Sequence, residues 1–192
     1  MNYLAHLFLA DPTPESLLGN LAGDFVKGAL GDRFTPGVRR GIMEHRRIDE
    51  FTDTHPAVAV FRRVIAAEHG HYSRVISDVF FDHFLSCNWN DYSAVSLDAL
   101  FRRIFTTLDP QVDNMPGRLR FIYPRMRDEG WLESYSDPEG VRMALRGLSR
   151  RFSRAPRLET AVHLLDDSRT ALQDAFRRFF PDVMAFARSL RR

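Results

Sequence analysis

The chain has 192 residues, 44% of them hydrophobic and 27% charged, with a formal net charge of +2. That length and composition suit one soluble domain with a sizeable core. A single cysteine, Cys87, excludes an internal disulfide and a thiolate zinc cluster. No apolar run approaches the ~20 residues of a membrane span, and the opening MNYLAHLFLADPTPE lacks the basic region of a secretory leader. A reducing, cytoplasmic setting is expected.

In chain order, residues 2–9 predict a short helix containing His6. DPTPES (11–16) predicts a turn and helix start, with Pro early and Glu15 in the first turn. The next helix is expected to run to about Ala29, with Leu17, Leu21 and Asp24 on one stripe. Gly19, Gly23 and Gly28 weaken that helix but permit close approach of a neighbour or ligand. GDRFTPG (31–37) reads as a loop. A helix then carries His45, Arg46, Arg47 and Asp49 and stops near His55-Pro56. Further helices are predicted at about 56–69, 72–88 and 94–107. LDPQVDNMPG (108–117) reads as a loop, and helices follow at about 118–129, 138–152 and 157–190, with Pro181 kinking or breaking the last. No alternating strand pattern is present. The fold expected is all-α: one multi-helical domain, with a front half 1–107, a loop 108–117 and a back half 118–192.

Charge divides along the same line. Residues 1–117 carry 11 Lys+Arg against 15 Asp+Glu, and residues 118–192 carry 16 against 10. An acidic front suits a cation and a basic back suits an acidic partner, although a solvated basic surface gives the same count.

Two stretches stand out, HRRIDEFTD (45–53) and DVFFDH (78–83). His45 and Asp49 are four apart and continue the apolar stripe of Val38 and Ile42. Asp78 and Asp82 repeat the spacing between Val75, Leu85 and Trp89, with His83 next in sequence. Taken singly, each group has an ordinary explanation. His6 could be a satisfied core histidine, Asp24 a cap or arginine partner, His45 a donor to a carbonyl, and Asp49 a bridge to Arg46 or Arg47. Arg46 and Arg47 could be a solvated pair or a clamp on phosphate oxygens. His69, His71 and His163 read as surface, and His55 as loop structure. Taken together, inward carboxylates on several helices cost several kcal/mol unless paired or metal-bound. A mixed imidazole and carboxylate set suits Mn²⁺, Fe or Mg²⁺. Such an ion activates water and polarises a phosphoryl oxygen.

Other chemistries find no support: GxxxxGK[ST], HExxH and GxSxG are absent, and Cys87 reads as a small buried hydrophobe. FRRVIAA (61–67) and the Arg-rich segment 142–157 are weak signals for nucleic acid, which is not expected as a partner.

MNYLAHL, GNLAGDFVKG (19–28), HRRIDEFTD and SDVFFDHFLS resemble the acyl carrier protein phosphodiesterases, and FFPDVM (179–184) echoes FYPRMM-like endings in that family. The resemblance implies a bacterial cytoplasmic enzyme with a core distantly like the HD-domain phosphohydrolases. It implies Mn²⁺-supported hydrolysis of the phosphodiester joining 4′-phosphopantetheine to a serine of holo-acyl carrier protein, yielding apo-protein. It also maps Asp24, His45, Asp49, Asp78, Asp82 and His83 onto the family's polar set, although Asp82-His83 reverses the HD order. On this reading Asp24, His45, Asp82 and His83 hold the metal, with Asp78 as a further ligand or orienting group. Asp49 positions water or the His45 ring, Arg46 stabilises phosphate charge, and His6 serves the leaving group. Arg142, Arg146, Arg150 and Arg154, or the Arg118–Arg127 group, would dock the acidic carrier protein. A metal phosphohydrolase acting on a nucleotide or small phosphodiester is one alternative, and a non-enzymatic helical module for an acidic partner is another.

Overall fold

The computed structural model describes residues 1–152 and 156–191 and is all-α among them. The elements are α1 (Tyr3–Leu9), α2 (Pro14–Ala22), α3 (Pro36–Thr54), α4 (Pro56–His69), α5 (Ser73–Cys87) and α6 (Leu97–Leu108). They continue with α7 (Gly117–Asp128), α8 (Trp131–Ser134), α9 (Pro138–Ser149), α10 (Leu164–Asp167) and α11 (Arg169–Ser189). Tight 3₁₀ turns fill several junctions, including Gly23–Phe25, Asp109–Asn114 and Leu158–His163.

Four helices begin with the same local chemistry. Thr13-Pro14, Thr35-Pro36, His55-Pro56 and Asp137-Pro138 each place a capping side chain before a proline in the first turn, and each cap accepts a backbone N–H two or three residues on. The cap satisfies a donor the helix cannot, and proline loses nothing where no intrahelical bond is possible. These junctions depend on neighbouring residues alone, which is why sequence locates them within a residue or two.

Where packing intervenes, the outcome differs from expectation. α2 ends at Ala22 rather than near Ala29, and Asp24 sits in a 3₁₀ turn, not on a helical stripe. The expected helix over 157–190 breaks at Ser168, and α11 then runs through Pro181, which lies on an exposed face. α9 stops at Ser149, so the expected arginine ridge is helical only at Arg142 and Arg146. Arg150 follows the helix end, and Arg154 lies outside the described residues. Cys87, expected inside, is exposed at the end of α5.

The core is aromatic. Phe61 of α4, Phe80, Phe81 and Phe84 of α5, and Phe176, Phe179 and Phe180 of α11 are all within 1% of full burial. Phe61–Phe81 centroids lie 4.7 Å apart and Phe81–Phe179 centroids 5.1 Å, in tilted contacts that favour ring quadrupoles. α5 runs through this core and packs on α1, α4, α9 and α11. Beside it, α2 and α3 meet closely enough that a Cβ on Gly19 would lie 2.5 Å from the Val38 carbonyl oxygen. No larger residue fits there.

Candidate metal centre

Three elements deliver the polar groups to one place. α1 carries His6, α3 carries His45 and Asp49, and the turn after α2 carries Asp24. His6 Nε2 lies 3.0 Å from Asp49 Oδ1, and His45 Nε2 lies 3.1 Å from Asp49 Oδ2 and 3.6 Å from Asp24 Oδ1. The two imidazoles stack with centroids 3.8 Å apart and planes 20° apart. Donor atoms of His6, His45 and Asp49 all lie within 4.8 Å of one another.

The hydrogen bonds constrain the protonation. His45 Nδ1 is 2.8 Å from the Asn20 carbonyl, which can only accept, so Nδ1 carries the proton. Nε2 then points a lone pair at two carboxylates unless a proton or a metal ion lies between them. This carbonyl-to-imidazole tie is the usual way a protein orients a histidine ligand. His6 Nδ1 is buried without a hydrogen-bond partner among the described residues. An orphaned ring nitrogen, a second ring nitrogen set against two carboxylates and a mixed N/O donor set fit a hard-to-borderline divalent cation.

Electrostatics sharpen the same picture. Burial disfavours charge on His45, but Asp24 and Asp49 outweigh it and raise the imidazole to about 9. For His6 burial dominates, His45 adds to it, and the ring falls to about 4. Burial pushes Asp49 up, yet the Met1 amino group and both imidazoles hold it far below the ordinary carboxylate range. Burial likewise pushes Asp24 up, and His45 reverses the direction.

Gly23 makes the cluster possible. A Cβ there would fall 2.2 Å from His45 Cγ, inside the ring. The position expected to admit a helix or ligand in fact admits the imidazole.

The other expected site residues are placed elsewhere. Asp82 is fully buried, and its two oxygens accept the N–H groups of Leu4 and Ala5 at 2.8 and 3.0 Å. It caps α1 instead of facing the cluster, because the free N–H groups of a helix start attract an acid. His83, one residue on, faces away: Nδ1 pairs with the Tyr135 carbonyl at 2.8 Å, and Nε2 lies 3.6 Å from Cys87 Sγ. Asp78 borders the cluster without belonging to it. The Met1 amino group lies 3.2 Å from both Asp49 and Asp78 and links the two acids, and Arg62 approaches Asp78 at 3.9 Å. Arg46 was expected to clamp phosphate, but its Nη2 donates to the carbonyls of Val26 and Gly28, each at 3.0 Å, and so ties down the loop after Asp24. His6, expected as a leaving-group acid, is uncharged near neutrality and joins the donor set. His55 caps α4 and pairs with Asp182 at 3.2 Å.

Sequence reading missed Met1 and Asn20. Asn20 precedes Asp24 by one helical turn, but nothing local says its carbonyl meets a ring 25 residues away.

Residues 1–183 match the family described as acyl carrier protein phosphodiesterase. The chain belongs to that family. Relatives named acyl carrier protein phosphodiesterase are 32% identical in Yersinia pestis over 96% of both chains, 33% in Serratia proteamaculans over 98% of both, and 35% in Salmonella agona over 97% of both. No solved structure matches. The family is one of phosphoric diester hydrolases. No helix among the described residues is long and apolar enough to cross a membrane.

Proposed function

We propose that this enzyme hydrolyses the phosphodiester between 4′-phosphopantetheine and the serine of holo-acyl carrier protein, releasing apo-protein and 4′-phosphopantetheine, with a divalent cation as cofactor. Mn²⁺ is the first choice, with Fe and Mg²⁺ as alternatives. The observation that carries the reading is the convergence of two imidazoles and two carboxylates from three elements, in a chain of this family. His6, His45 and Asp49, with Asp24 beside them, would hold the ion. When bound, it supplies positive charge against the phosphoryl oxygens and a water that ionises near neutral pH.

The chain's own groups have separable tasks. Asn20 holds His45 in the tautomer that turns Nε2 towards Asp49. Asp49 bridges both rings and keeps their nitrogens on one side. Asp24, 45% exposed, is the more open of the two carboxylates, and it stays ionised, so it would accept a hydrogen bond from a water entering from solvent and orient it. Asp78 and Met1 support Asp49 from behind. On the surface, Arg142 and Arg146 lie one turn apart on α9, exposed, with Arg150 just beyond the helix end. They steer an acidic carrier protein towards the site, a long-range effect that salt screens.

The test is to strip the protein with chelator and incubate it with holo-acyl carrier protein and with a panel of nucleotides and small phosphodiesters. Released 4′-phosphopantetheine is followed by mass spectrometry. Release from the carrier protein is expected only after Mn²⁺, Fe²⁺ or Mg²⁺ is returned, and His45→Ala should lose tight metal binding. Full release in the presence of chelator would remove the cofactor. Turnover of the small phosphodiesters alone would remove the substrate.

A further inference from the structure

The proposed reaction leaves α7 unused, although it carries the most exposed large apolar side chain among the described residues. Phe121 is 77% exposed, whereas the other large exposed apolar side chains, Met43, Val60, Val95 and Met143, are 45–56% exposed. Arg118 lies three residues before it and Arg125 four residues after, a spacing that puts all three on one face over about 10 Å of helix. Both arginines are exposed, and among the described residues neither has a carboxylate within 4.0 Å. Arg120 and Arg127, on other faces of the same helix, are tied to Asp113 and to Asp109 and Asp128. A lone exposed phenylalanine is ordinary. One bracketed by two uncompensated guanidiniums has the composition of an interface anchor.

Position adds a second argument. α7 packs on the Gly23–Phe25 turn that carries Asp24. Phe25 of that turn stacks on Tyr3 of α1 with centroids 6.3 Å apart. α7 therefore stands beside the turn that carries Asp24. The bond proposed to break joins phosphorus directly to a serine of the partner, with no flexible arm between. The partner's own surface must therefore come to the rim, and whatever holds it must border the rim. Residues 118–192 carry 16 Lys+Arg against 10 Asp+Glu, so the complementary partner is acidic.

We infer that the Arg118–Phe121–Arg125 face of α7 is the docking surface for the acidic carrier protein, with Phe121 as its apolar anchor. The inference rests on the proposed substrate and divides labour with α9. Charges away from the rim govern how fast the partner arrives, whereas a desolvated aromatic with flanking arginines governs how long it stays.

The experiment measures binding of apo-carrier protein, which has no bond to cleave, together with turnover of the holo form. Phe121→Ala and Arg125→Glu should each weaken binding by about tenfold or more, mainly through faster dissociation, and raise KM to match while kcat stays within about twofold. Arg125→Lys should recover most of the loss. Both positions are exposed, so the helical circular dichroism signal and Tm should hold. Charge reversal at Arg142 and Arg146 should instead slow association in a salt-sensitive way. Affinity within about twofold of wild type in both α7 variants overturns the inference, as does a wild type that binds no carrier protein. If wild type binds, the α7 variants do not, and no 4′-phosphopantetheine appears, the docking surface stands and the proposed reaction fails.

Discussion

α3 and α5 present the same pattern and put it to opposite uses. Each places two polar groups four residues apart on an apolar stripe, His45 and Asp49 on one, Asp78 and Asp82 on the other. On α5, Asp82 is held by backbone alone: each of its oxygens accepts one N–H group, and it is fully buried. On α3, Asp49 meets ionisable groups instead, both imidazoles and the Met1 amino group, and the neighbouring His6 Nδ1 has no partner among the described residues. One helix links the two cases. Asp82 grips the start of α1, and the next turn of α1 lays His6 against His45. A buried acid tied to backbone N–H groups builds the fold, and one set against imidazoles is available for chemistry.

The comparison breaks most sharply at Asp49. Asp49→Ala should cost at least about 10³-fold in turnover, roughly 4 kcal/mol of barrier, with the helical circular dichroism signal retained. Steady-state release of 4′-phosphopantetheine checks it, and turnover within tenfold of wild type would take Asp49 out of the centre.

Next is Asp82→Ala, whose effect belongs to stability. Two buried N–H groups lose their acceptor at about 1–3 kcal/mol each, so urea unfolding should show a loss of about 2–6 kcal/mol. Activity lost without stability would mean that Asp82 serves the chemistry after all. Gly23→Ala follows. The added methyl must displace the His45 ring, so turnover should fall about 10²-fold while Tm moves by only a few degrees.

The pH dependence is a smaller effect with a definite sign. Burial raises the Asp82 carboxyl to about 7, only partly offset by the Ala5 and Leu4 N–H groups, whereas the unfolded chain titrates near 3.9. The folded state therefore holds this proton more tightly. The group's contribution to stability is greatest below about pH 4 and is lost as pH rises towards about 7. Wild type should lose stability relative to Asp82→Asn over that window, and parallel pH profiles for the two would mean that the carboxyl titrates normally. Smallest of all is His83→Gln, which should leave metal affinity and turnover within about threefold and cost about 1 kcal/mol through the Tyr135 contact. Loss of metal on this substitution would return His83 to the ligand set.

Sequence by itself determined the helical class, the starts of α2, α3, α4 and α9, and the pairing of His45 with Asp49, because caps, prolines and i,i+4 neighbours act within one or two turns. It also marked the basic back half. It did not separate Asp49 from Asp82, since both sit on apolar stripes and differ only in what packs against them. Nor did it reveal that Gly23 makes room for a ring, that Asn20 orients it, or that Arg46 holds a loop. Those outcomes were decided by tertiary structure, where groups tens of residues apart compete for the same lone pairs and N–H donors. The competition is settled by which helix end or ring arrives within about 3 Å, and no local pattern encodes that distance.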